Sequence, residues 1–227
     1  MNNSVHMIGT VGSEFEYSHS AGTEKFNTFR LNIQRDSGYI DSLSMVISEK
    51  VTYGLNISMG TRVEINGQYR SFTKHLPNDE NDKKKRETQL FIFVTSIKVL
   101  DSDSDKDISD TNEVKLIGEV WKCFRHRHTK SGRDVVDFIL RVAREYGRYD
   151  YLDCIAWGRD AIYLDKITEQ LYLDKEPRLK VSIDGRMQSR EFTKYNSDGS
   201  STHKEIFELS VVNLNTIEED DTDENKD

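Results

Sequence analysis

The segment Tyr151-Leu152-Asp153-Cys154-Ile155-Ala156-Trp157 holds the side chains best suited to act on a ligand. Alternate residues of a strand point to opposite faces. Tyr151, Asp153, Ile155 and Trp157 therefore share one face, and Leu152, Cys154 and Ala156 the other. A sister segment, Ser42-Leu43-Ser44-Met45-Val46-Ile47-Ser48, has apolar residues at the Leu43 parity and mostly serines at the alternate one. The Leu43 parity is thus the core side. Tyr151 and Trp157 face outward, about 20 Å apart at ~3.3 Å per residue. Arginines crowd them: Arg141 and Arg144 on the preceding strand, Arg148 in the connecting hairpin, Arg159 just beyond. Exposed aromatic rings offer faces on which any unpaired base can stack, while arginines follow phosphates. The pattern leaves a second reading open, in which both rings pack beneath a loop or against another subunit.

Other chemistry is sparse. Arg125-His126-Arg127-His128-Thr129-Lys130 could approach phosphates or form a solvated hairpin. His126 and His128 with Cys123 lack a second cluster at zinc-ligand spacing, so neither a metal nor another cofactor is expected. Carboxylates are scattered, and neither a Gly-rich phosphate loop nor a nucleophile motif occurs. The chain does not read as an enzyme.

The elements that hold these residues occur twice. Adding 109 to Val5-His6-Met7-Ile8-Gly9 gives Val114-Lys115-Leu116-Ile117-Gly118, and Phe29-Arg30-Leu31-Asn32-Ile33 gives Phe138-Ile139-Leu140-Arg141-Val142. Two copies at this spacing mean two like domains. Each alternates with the period of a strand (Phe138, Leu140, Val142 against Ile139, Arg141, Ala143). Asn196-Ser197-Asp198-Gly199 signals the turn of a long hairpin arm, and Asn78 to Arg86 forms a polar loop in the first copy. Ala161, Leu164, Ile167 and Leu171 recur at helical spacing after Asp160, a candidate N-cap. The matching stretch of the first copy is nine residues shorter, so its helix is expected to be short or absent. The order strand, strand, strand, helix, strand, strand predicts an all-β fold with minor helix: two tandem OB folds, each a five-stranded Greek-key barrel.

Net charge is −8, but residues 101–113 carry six acidic side chains and one basic, and residues 218–227 seven and one. The acidity therefore sits outside two slightly basic domains. The expected division is 1–100 (first barrel), 101–111 (acidic flexible linker), 112–217 (second barrel) and 218–227 (disordered acidic tail). No apolar run approaches a membrane span. The N-terminus lacks the basic and apolar stretches of a signal peptide. Two cysteines alone favour a reducing compartment and no disulfide. A cytoplasmic protein is expected.

At this point the second copy resembles the bacterial single-stranded DNA-binding proteins. The resemblance runs through Val114–Gly118, Phe138–Arg144, Asp150–Trp157, Asp184–Arg190 and the closing Glu205–Leu214. It implies OB folds that bind single-stranded DNA without sequence preference in replication, recombination or repair. It implies stacking by Tyr146, Tyr151, Trp157 and Phe192, and phosphate contacts from Arg159 and Arg190. Arg141, Arg144 and Lys194 are added from the strand argument, and Arg148 from its hairpin. The family commonly assembles four OB folds, so a homodimer is implied, in a bacterial, plasmid or phage setting.

In the first copy Ser37, Ser42 and Ser48 stand at the places of Tyr146, Tyr151 and Trp157, and Phe72 alone matches Phe192. Tyr39, Arg30 and Arg35 are its further candidates; the alternative is a role in assembly. Trp121 stands where the family has a small residue, as Gly12 does here. The tail ends Asn225-Lys226-Asp227 rather than in the family's apolar tip, which docks replication and recombination proteins. A second class of function is therefore an accessory protein whose barrels mainly bind other proteins.

Overall fold

A computed structural model describes residues 2–75, 86–100, 108–195 and 201–217. The acidic segments 101–107 and 218–227, residues 76–85 (most of the expected polar loop) and residues 196–200 (the expected hairpin turn) lie outside the described residues, as do the side chains of Phe192 and Lys194. The first half contains β1 (Asn3–Val11), β2 (Glu16–Ala21), β3 (Glu24–Gln34), β4 (Ile40–Ser48), α1 (Glu49–Thr52), β5 (Arg62–His75) and β6 (Arg86–Val99). The second contains β7 (Thr111–Cys123), β8 (Arg127–His128), β9 (Asp134–Ala143), β10 (Tyr149–Trp157), α2 (Gly158–Asp174), β11 (Lys180–Tyr195) and β12 (Ser201–Thr216).

Each half closes on itself. In the first, β1 pairs with both β3 and β5, β5 with β6, β6 in parallel with β4, and β4 with β3. In the second, β7, β9, β10, β12 and β11 repeat that circuit. Two five-stranded OB barrels result, as the repeat implied. Closure brings backbone very near Gly9 and Gly118: a Cβ on either would lie 2.5 Å from the carbonyl oxygen of Asn32 or Arg141. The same bulge recurs in both long strands, between Asn66 and Gly67 and between Asp184 and Gly185.

The inward parity is as read. Leu43, Met45 and Ile47 are fully buried, and so are Leu152, Cys154 and Ala156. Both cysteines are free. The helix expected after Asp160 begins two residues before it, with Trp157 at the N-cap and no side-chain capping bond. Asp160 instead lies in the first turn, where a carboxylate meets the positive end of the helix dipole. The first-copy helix is a single turn, capped by Ser48 Oγ accepting from Lys50 N–H at 3.2 Å.

The barrels join through antiparallel β1 and β7, with Val5 opposite Val114. Those residues are 109 apart, so an approximate twofold axis passes between them. The contacts obey it. Asn3 exchanges two hydrogen bonds with the Tyr69 backbone, and Asn112 exchanges two with the Met187 backbone. The buried carboxylate of Asp150, forked by Arg144, accepts the N–H of Ser71 from the other barrel at 2.6 Å. Its counterpart Asp41, forked by Arg35, accepts the N–H of Ser189 at 2.9 Å. The residues leading into β7 are anchored as well: Asp110 accepts from Gln34 N–H at 2.7 Å and pairs with Arg62 at 2.7 Å.

Candidate nucleic-acid interface

β9 and β10 set the face. Their register puts Tyr151 opposite Arg141, Ile155 opposite Asp137 and Trp157 opposite Val135. Tyr151 is exposed, and its ring meets Trp121 edge to face at 5.4 Å. Arg141 lies between two rings, 4.8 Å from Trp121 and 4.7 Å from Tyr149. Arg178 covers Trp121 at 3.9 Å. Three aromatics and two guanidiniums thus form one ladder. Arg141 is also tied to Glu119, while its buried Nε has no hydrogen-bond partner. Trp121, Tyr149 and Arg178 were not legible as members. Trp121 follows the outward parity of Lys115, Ile117 and Glu119 on β7 and sits at the register shift between Val120 and Lys122, beside Tyr151. The signal available for Tyr149 was its parity with Tyr151.

At the other end of β10, Trp157 is half-buried. Its Nε1–H donates to Ser210 Oγ at 3.2 Å, and Arg133 covers the ring at 5.0 Å. It lines a groove of about 1030 Å³ together with Arg127, Arg133, Arg186 and Arg190, and with Arg35 and Tyr39 of the first barrel. Arg190 is held by Glu208 at 3.1 Å. Arg159 is exposed in the first turn of α2.

A second cleft, of about 760 Å³, opens at the barrel junction between Arg70, Arg144, Arg148 and Tyr146. Tyr146 is 93% exposed and sits at φ +60, with Gly147 beside it at φ +68. A bulky residue in the left-handed region stores strain of the kind found at binding sites. By sequence Arg144 is a candidate phosphate contact. The structure commits it instead to Asp150 and to the Ser71 carbonyl oxygen at 2.8 Å. Arg70 shares Asp150 at 3.5 Å, and burial, then the neighbouring Arg144, lowers its pKa. Two guanidiniums over one carboxylate leave this cleft net cationic.

The first-barrel candidates are similarly occupied. Arg30 pairs with Glu205 of the second barrel at 2.6 Å and covers Phe207 at 5.3 Å. Arg35 covers Tyr39 at 4.7 Å, and the Tyr39 hydroxyl donates to the Ser189 carbonyl at 3.3 Å. Phe72 is exposed on β5, in the arm of the first barrel.

On β10 one acidic residue interrupts the outward row. Asp153 lies between Tyr151 and Trp157, and desolvation, then Glu208 and Asp137, raises its pKa. A raised carboxyl costs stability when ionised. That cost is absent below the ordinary carboxylate range and builds as pH climbs through it toward the folded value. Asp153→Asn is therefore expected to gain stability over the parent at pH 7 and to lose that gain near pH 3, in paired urea melts. A gain that is constant with pH would contradict this.

Fold and face together define a tandem OB-fold protein with an aromatic and cationic outer surface. Residues 111–214, which span the second barrel, match the model of the Single-strand binding protein family. Over the whole chain the fold is similar to that of a deletion mutant of the single-stranded DNA binding protein from Thermus aquaticus. The identity is 17%, the TM-score 0.69, and 98% of each chain is covered. The wild-type form of that protein matches at 15% identity and a TM-score of 0.67, over 96% of this chain and 93% of that one. A dimeric structure of the N-terminal domain of PriB from Thermoanaerobacter tencongensis is 35% identical, covering 44% of this chain and 97% of that one, with a TM-score of 0.36. No curated protein sequence matches the chain. No helix among the described residues is long and apolar enough to cross a membrane.

Proposed function

We propose that the chain binds single-stranded DNA without sequence preference. The observation that carries this reading is the outward pair Tyr151 and Trp157 on β10, each beside guanidinium groups already placed over neighbouring rings. Bases stack on the two rings and on Tyr146, and Phe192 is assigned the same role. Arg148, Arg159, Arg190 and Lys194 follow the phosphates. Arg141 acts from within its ladder, and Arg144 acts by fixing the cleft that Tyr146 and Arg148 line. The first barrel contributes Phe72 and otherwise serves mainly as the second barrel's partner. Two chains supply four barrels, and the role is protection of exposed strands in replication, recombination or repair.

The test is a titration with oligo-dT followed by tryptophan fluorescence. Quenching of Trp157 reports stacking directly. Affinity should fall linearly on a log–log plot against salt, about 0.7 log units per neutralised phosphate. Four contacts then lose about 50-fold between roughly 50 and 200 mM salt. Binding that ignores salt, or that leaves the fluorescence unmoved, would remove the reading.

A second reading, a protein-binding accessory factor, draws on the first barrel. Tyr39, Arg30 and Arg35 are spent on the barrel–barrel contact, whereas Tyr53 and Met59 stand 89% and 62% exposed. It requires feeble oligo-dT binding beside a nuclease-resistant protein complex.

A further inference from the structure

The hairpin joining β8 to β9 holds a side-chain group that base stacking does not use. Its turn is closed by Thr129 N–H donating to the Arg133 carbonyl at 2.9 Å and Arg133 N–H donating to Thr129 Oγ1 at 3.0 Å. Gly132 supplies the positive φ of +81 that the turn needs. Strand register then sets His128 opposite Asp134. His126, two residues before His128, falls on the same side. Asp134 Oδ1 consequently lies 2.9 Å from His126 Nε2 and 3.1 Å from His128 Nδ1. All three atoms lie within 4.8 Å of one another. The side chains of His126 and Asp134 are only 22% and 26% exposed, so packing as well as hydrogen bonding holds them.

We propose that His126, His128 and Asp134 form a binding site for a divalent transition ion of the zinc class. Imidazole nitrogen and carboxylate oxygen are donors such an ion accepts, and three protein ligands leave a further position for water or another oxygen. Metal–ligand bonds of about 2.0–2.1 Å give tetrahedral edges of about 3.3–3.4 Å. Two edges of the triangle, at 2.9 and 3.1 Å, are already close to that. Each imidazole then binds as the tautomer whose single proton sits on the nitrogen away from Asp134, and any second proton is released to solvent. Two neighbouring cations are engaged elsewhere: Arg127 pairs with Asp137, and Arg133 lies over Trp157. The His6–Glu64 pair, at 3.0 Å, is the internal contrast, a histidine–carboxylate contact outside any such group among the described residues. By sequence the two histidines have only Cys123 beside them as a third donor, and no metal is expected. Asp134 supplies that donor instead, and only the hairpin register reveals that.

The experiment uses the untagged full chain, stripped with a chelator and titrated with zinc alone against a chromophoric competitor. Cobalt absorption reports the geometry. One ion per chain is expected. His126→Ala and Asp134→Asn should each weaken uptake by more than about tenfold, since even outer partners of a metal ligand are worth that much. His6→Ala should leave uptake unchanged. Circular dichroism confirms that the variants are folded, and Asp134→Asn keeps the size of the side chain. Failure of the parent to take up stoichiometric zinc overturns the site. So does uptake that survives in both the His126 and Asp134 variants. Neither result bears on oligo-dT binding, which is measured without metal.

Discussion

Replacing Asp150 by alanine is expected to lower the free energy of unfolding by about 3–5 kcal/mol, the usual cost of breaking a buried ion pair from one side. The carboxylate is fully buried at the barrel junction. It receives a fork from Arg144, a longer contact from Arg70 at 3.5 Å, and the N–H and hydroxyl of Ser71 at 2.6 and 3.1 Å. Alanine leaves two guanidiniums facing each other without an anion. It also leaves the Ser71 N–H without its acceptor, itself worth about 1–3 kcal/mol. The loss arises because one partner goes while the other stays buried, and is not a measure of what the pair adds to the fold. Asp41→Ala removes the counterpart, with Arg35 and the Ser189 N–H left behind. It should cost a similar amount, less whatever Arg70 adds on the other side. Urea titrations in which both variants fall within about 1 kcal/mol of the parent would show that the junction is not held this way.

The second large effect concerns the outer face. Tyr151→Ala and Trp157→Ala should each weaken oligo-dT binding by about 1–3 kcal/mol, and the double variant by about 2–6 kcal/mol if the sites act independently. Neither ring belongs to the core, so melting temperatures should move little. Trp157→Phe separates two roles of the indole. It keeps an aromatic face beneath Arg133 but loses the hydrogen bond to Ser210. It should retain most of the affinity, whereas a loss equal to that of alanine would mean the ring is held rather than stacked. Asp153→Asn should act in the opposite direction. Removing one charge about 8 Å away through water is worth ~0.5 kcal/mol, or about two- to threefold in affinity.

How much of this could be read without coordinates follows from particular residues. Barrel closure and the inward parity were legible because Leu43, Met45 and Ile47 and their counterparts repeat with a strict period. The outward placement of Tyr151 followed. The role of Arg144 was not legible, because its partners come from the other barrel and from a residue six positions away. A signal was nonetheless present: Asp41 and Asp150 are carboxylates at the apolar parity, each six residues after an arginine, in both copies. A charge on the core side of a strand must find an opposite charge. Alternation places Trp121 on the outer face, but not beside Tyr151, because that contact depends on how β7 is registered against β9.

The axis between Val5 and Val114 has an evolutionary consequence. In an assembly of identical chains, every substitution beside such an axis appears on both sides at once, so a change that helps one side must be tolerated by the other. A fused pair is released from that condition. Tyr69 occupies the position of Met187, and Arg70 that of Gln188, while both Arg–Asp forks persist. Linking the copies let the two halves of one contact specialise separately, with the reciprocal carboxylates holding the halves in register.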